Sequence, residues 1–109
     1  MNPWLALMAG IVFEVAGTLG LKSTDGFTRL LPTIGVLAAY GVSFFFVALA
    51  VQGLEVGVVY AVWSAVGTSI VAAFGVAFMG ESVSALKVGS LALIIVGVVG
   101  LNLAGAAHG

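Results

Sequence analysis

GVVYAVWSAVGTSIVAAFGVAFM, residues 57–79, carries no charged side chain. At about 1.5 Å of rise per residue a helix of this length exceeds the roughly 30 Å of a bilayer's hydrocarbon core. Lipid offers no hydrogen-bond partners, so a spanning segment satisfies its backbone as a helix or inside a closed barrel. The run is unbroken and does not alternate apolar with polar residues, which excludes a barrel strand. On one side it is bounded by QGLEVG (52–57), on the other by GESVSALK (80–87). Working outward, TIGVLAAYGVSFFFVALAV (33–51) is also uncharged, and a fourth apolar run covers about 88–106. The first, about 4–21, contains one charge, Glu14, and ends at KSTDGFTRLLP (22–32). Four segments of membrane-spanning length with short connections predict an all-α membrane protein. It is one four-helix transmembrane domain over 1–109, with antiparallel neighbours.

Composition agrees. Of 109 residues 62% are hydrophobic and 6% charged, against about 45–50% and 25% in soluble domains. A net charge of −1 with no basic patch gives no reason to expect nucleic-acid binding. There is no cysteine, and the single histidine, His108, is near the end of the chain, so no metal site or histidine-based triad is expected. No nucleotide-binding loop is present, and no cofactor is expected beyond an ion gradient. The opening MNPW lacks the positive region of a secretory signal, so the first apolar run is read as a retained span. Many of the sixteen glycines fall inside the spans, where small residues let helices approach in lipid and predict a small-residue-packed bundle.

Glu14 lies near the centre of the first segment. Asp25, Glu55 and Glu81 fall in connections. A charge at that depth costs on the order of 2.5–3.5 kcal/mol on insertion scales, and an ionisable residue there marks a pathway by default. The alternatives are a neutral, hydrogen-bonded core glutamic acid or a pair with Lys22. Lys22 is eight residues on, roughly 12 Å along the axis, which disfavours direct pairing. Leu7, Gly10, Ile11, Gly17, Thr18 and Leu21 share the helical face of Glu14. The small residues leave space beside the carboxylate, and Thr18 is placed to hydrogen-bond it.

Tryptophan and tyrosine usually line membrane interfaces. Trp4 fits that rule, but Tyr40 is mid-span, and Tyr60 and Trp63 share a face of the third segment. Aromatic faces attract cations, quaternary ammonium groups especially. Tyr60, Trp63 and Tyr40, with Ser43 and Phe44 on one wall, are expected to form a cage for a lipophilic cation beside Glu14. A carboxylate that holds either a proton or a cation suggests exchange by alternating access, in which the two compete for Glu14. In the fourth segment Ser90, Ile94, Gly97 and Leu101 recur at heptad spacing, a packing face or a dimer seam.

FEVAGT (13–18), KSTDGFTRLLPT (22–33) and GVVYAVWSAVGT (57–68) resemble the small multidrug resistance family, and the likeness covers almost the whole chain. The resemblance implies a proton-coupled exporter of organic cations in the bacterial inner membrane, working as an antiparallel, dual-topology homodimer. It implies that Glu14 binds both protons and substrate and that Trp63 and Tyr60 contact substrate, with Tyr40, Ser43 and Phe44 at pocket positions. Gly97 matches one of two small residues of the family's fourth-helix dimer motif, and Ser90 stands where the other is usually glycine. Gly67 marks the family's third-helix hinge, but Ala65 replaces a frequent glycine. The guanidinium exporters of the family typically carry tryptophan where this chain has Ala16, so the multidrug, quaternary-ammonium branch is the nearer match.

Lys22, Arg29 and Lys87 lie in the first and third connections. This bias favours termini outside and leaves a heterodimer with an oppositely inserted paralogue as an alternative to the homodimer. Other readings are an exporter of betaine, choline or guanidinium-like cations, a proton-translocating rotor proteolipid, and a structural subunit in which Glu14 is a neutral hydrogen-bond partner.

Overall fold

The computed structural model describes the backbone of residues 1–108 and side chains through Ala104; the side chain of His108 lies outside the described residues. The chain is all-helical: α1 (Pro3–Leu19), a 3-10 turn (Leu21–Thr24), α2 (Leu30–Ala50), α3 (Val56–Phe78) and α4 (Ala85–His108). Three stretches are long and apolar enough to cross a membrane, Leu30–Ala50, Val56–Phe78 and Ala85–Ala104, and α1 is a shorter apolar helix of 17 residues. The protein is a multi-pass membrane protein. Its helices form two compact units, the α1–α2 hairpin (residues 1–54) and the α3–α4 hairpin (residues 55–109).

Helix starts depart from the sequence expectation by up to three residues, for local reasons. Pro32 was expected to stand in a connection, yet it lies in the first turn of α2, where proline's missing N–H costs nothing because no intrahelical acceptor exists there. Ser84 starts α4 at Ala85, not Val88, because its hydroxyl accepts the Lys87 amide at 3.1 Å. Lys87 therefore sits in the first turn and donates through Nζ to the Ser82 carbonyl at 2.6 Å. At the start of α1 the Asn2 side chain accepts the Trp4 amide at 2.8 Å, with Pro3 just inside the helix.

The first hairpin is closed by a turn built around Thr24. Its hydroxyl donates to the Leu21 carbonyl at 2.7 Å and accepts the Phe27 amide at 3.2 Å. Its carbonyl accepts both the Thr28 and Arg29 amides, each at 3.0 Å. Asp25, Gly26 and Phe27 all have left-handed backbone, at φ 49°, 69° and 66°. Two of the three are not glycine, so the internal hydrogen bonds of the turn must offset the strain of that conformation.

Between α1 and α2 the buried side chains are small or smooth: Ala6, Leu7, Ile11 and Val15 against Val36, Ser43 and Ala50. Gly10 brings the backbones close. A Cβ there would lie 3.0 Å from Val47 Cγ2 and 3.1 Å from the Ser43 carbonyl oxygen. Ser43, 1% exposed, donates its hydroxyl to the Gly10 carbonyl at 2.7 Å. Phe13 and Phe46 stack beside this contact with centroids 6.0 Å apart. At the far end, a Cβ on Gly53 would run into the Pro3 ring.

The second hairpin is more open. On α3, Val58, Val59, Ala65, Gly67 and Gly75 are buried, while no residue of Ala85–Ala104 on α4 is. A groove of about 310 Å³ separates the two helices, lined by Ala65, Val66, Ser69 and Ile70 of α3 and Ile95, Val98 and Val99 of α4. α3 runs as continuous α-helix through Gly67. Beyond it Gly80 takes φ 72°, and the Glu81 carboxylate folds back over Gly75, where a Cβ would strike it.

Gly10→Val is expected to destabilise the protein by about 1–3 kcal/mol, since the added methyls meet Val47 and the Ser43 backbone. Gly35→Ala, which enters open space, is expected to be neutral or to stabilise by about 0.5–1 kcal/mol through helix propensity. Reversible unfolding in mixed detergent micelles measures both.

Candidate functional site

The centre of the first hairpin is polar. Glu14 and Thr18 are one turn apart on α1, and the Thr18 hydroxyl donates to Glu14 Oε1 at 2.8 Å. The same hydroxyl oxygen is 2.9 Å from the Tyr40 hydroxyl of α2. All three side chains are part-buried. Expected separately, as a carboxylate with a helical neighbour and as a cage aromatic, they form one continuous hydrogen-bonded chain across the hairpin.

The chain exists because Tyr40 lies flat on α1. Gly17 makes this approach: a Cβ there would sit 2.8 Å from Tyr40 Cε1 and 3.0 Å from Cδ1. Gly20 lets Val36 approach in the same way, with a Cβ at 3.3 Å from Val36 Cγ2. Around these glycines the helices leave a cleft of about 280 Å³, lined by Ala16, Gly17, Gly20 and Ser23 on one side and Pro32, Gly35, Val36 and Ala39 on the other. The space expected on the Glu14 face is thus largely filled by the Tyr40 ring, and the open volume lies around Ala16 and Gly20.

The remaining candidates divide by location. Gly10 and Ser43 are joined to each other in the α1–α2 contact. Phe44, adjacent in sequence, is 59% exposed on another face of α2, so Ser43 and Phe44 do not share a wall. Tyr60 and Trp63 pack edge to face on α3, with centroids 5.6 Å apart and planes at 78°. Tyr60 is 64% exposed. Ser90, Ile94, Gly97 and Leu101 lie exposed on α4, and a Cβ on Gly97 would meet nothing within 4 Å. Among the described residues no cluster of histidine, cysteine, aspartate or glutamate could hold a metal ion.

A hairpin of apolar helices that holds a hydrogen-bonded carboxylate, in a chain with three helices long and apolar enough to cross a bilayer, defines a helical membrane protein with a polar site. The chain matches the description "Small Multidrug Resistance protein" over residues 2–94 and belongs to that family, whose members are transporters rather than enzymes. It is 49% identical over 104 residues to the multidrug resistance protein Mmr of Mycobacterium tuberculosis, covering 94% of this chain and 97% of that one. It is 43% identical over 103 residues to the quaternary ammonium compound-resistance protein QacE of Escherichia coli, covering 94% of each chain. To QacF of Klebsiella aerogenes it is 42% identical over the same length and coverage.

Gly17→Val is expected to push the Tyr40 ring off α1 and shift its ring resonances in NMR spectra of tyrosine-labelled protein. Gly89→Ala, which enters open space on α4, should leave them in place.

Proposed function

We propose that the protein is a proton-coupled antiporter that exports lipophilic and quaternary ammonium cations by alternating access, with protons and substrate competing for Glu14. The observation that carries this reading is the carboxylate within the apolar helix α1 whose hydrogen-bond partner is a hydroxyl rather than a fixed cation. A fixed cation would neutralise the site permanently. A hydroxyl chain leaves it free to take a proton or an organic cation in turn. The names of the relatives, multidrug resistance and quaternary ammonium compound resistance, support this substrate class, and Ala16 beside open volume suits bulky cations.

In this reading the Tyr60–Trp63 pair offers aromatic faces to the cation, and the proton gradient supplies the energy. The working form is a homodimer of oppositely inserted copies. Its support is the exposed α4 face, where Ser90 and Gly97 present little bulk to a neighbouring helix. Gly67 serves as the bending point of α3. Family membership sets aside the rotor proteolipid reading. Betaine, choline and guanidinium-like ions are the narrower substrates against which the quaternary-ammonium assignment is tested.

In detergent, adding tetraphenylphosphonium to the protein is expected to release protons, and Glu14→Gln to abolish the release. No release across a panel of quaternary, aromatic and guanidinium cations would sink the proposal. Trp63→Leu is expected to weaken aromatic cation binding about tenfold. Glu55→Gln and Glu81→Gln should leave release unchanged; its loss in Glu81→Gln would show a second coupling carboxylate.

A further inference from the structure

We propose that the Tyr40 hydroxyl is a positioning group for Glu14, acting through Thr18, and that position 17 is glycine so that the phenol can reach it. This rests on the assignment of Glu14 above and goes beyond Tyr40 as an aromatic wall.

Proton bookkeeping fixes the direction of the chain. A threonine hydroxyl has one proton and two lone pairs. Thr18 gives that proton to Glu14 Oε1, so the 2.9 Å contact with Tyr40 must run from the phenol O–H to the threonine oxygen. Tyr40 thus polarises Thr18 toward the carboxylate, and a bond donated to an ionised acceptor is the stronger kind. When Glu14 takes a proton on Oε1 it can no longer accept there from Thr18, so the Thr18 hydroxyl must turn to another acceptor or the acid must donate to it, and the phenol keeps its own proton throughout. The order of the chain, phenol to threonine to carboxylate, is thus the one drawn with Oε1 as acceptor.

The other charged side chains of the hairpin, Lys22, Asp25 and Arg29, are all exposed in the connection between the helices. Glu14 is the one charged residue of α1, Tyr40 is the one ionisable residue of α2, and the 3-10 turn carries Lys22, which is exposed. The ring position is equally specific. Tyr40 Cε1 and Cδ1 occupy the space where any other residue at 17 would place its Cβ, so the glycine and the phenol are one device. The Tyr40 hydroxyl then sets how well protons compete with the cation, while leaving the cation's own contacts largely intact.

The test is equilibrium binding of tetraphenylphosphonium to the full-length protein in detergent, from acid to alkaline pH. In Tyr40→Phe, which keeps the ring, the pH at which binding is half lost is expected to rise by about one unit, a tenfold change in proton competition. Affinity on the alkaline plateau is measured alongside, so that loss of a cation contact is separated from the shift. Thr18→Val should give the same shift, the double variant no more than the larger single shift, and Thr18→Ser should restore the original profile. An unshifted profile in Tyr40→Phe overturns the proposal, as does a plateau loss above tenfold without a shift, which would place the hydroxyl on the cation itself. Additive shifts would show two independent groups and overturn it too. The carboxylate infrared band of 13C-labelled Glu14 gives a second readout, expected to move in Tyr40→Phe at alkaline pH. If Glu14→Gln binds tetraphenylphosphonium with the pH dependence of the unaltered protein, the shared-carboxylate reading itself fails, an outcome distinct from all the others.

Discussion

The closeness of α1 and α2 is the constraint on which the rest of the first hairpin depends. In lipid, helices gain nothing from hiding apolar surface from water, so they associate through packing and hydrogen bonds. Gly10 and Gly17 bring the two backbones near enough for both. At Gly10 the approach is sealed by the Ser43 hydroxyl on a backbone carbonyl. At Gly17 it seats an aromatic ring whose hydroxyl completes the Glu14 chain. Without these two gaps, α1 would still be a helix with a carboxylate in it, but the carboxylate would lose its link to the neighbouring helix.

The two hairpins solve the packing problem differently. The first is sealed by polar contacts at positions eight apart on α1, Gly10 and Thr18. The second keeps a broad groove beside α4 and buries none of that helix's residues between Ala85 and Ala104. An exposed helix in a bilayer meets lipid or another protein, and the glycines on α4 make it a surface where backbones can come close. Glu81 adds a polar contact at the end of α3, folded over Gly75 rather than extended into the connection.

Much of this was legible in the sequence. Four uncharged or nearly uncharged runs gave the helix count, because in lipid the backbone has few alternatives. Glu14 stood out because a charge in such a run is costly, and Thr18 followed from one-turn spacing. Helix starts were less legible: Pro32 and Lys87 look like interruptions, yet both are tolerated in a first turn. Ser43 and Phe44, adjacent on a helix, were read as one wall, but a 100° step per residue turns one into α1 and the other away. The link between Thr18 and Tyr40 spans 22 positions and depends on how far a ring can lie over a glycine. Gly17 signals room beside the carboxylate, but helical spacing alone does not identify the ring that fills it.

The Thr24 turn bears on the order of assembly. Its left-handed residues are held by hydrogen bonds within residues 20–29, and Glu14, Thr18 and Tyr40 are all contained in the first 54 residues. Contacts of short sequence separation form early and fast, and chains assemble from the N-terminus during synthesis. The polar chain at Glu14 can therefore be complete once α2 is in place, while the second hairpin is still being made.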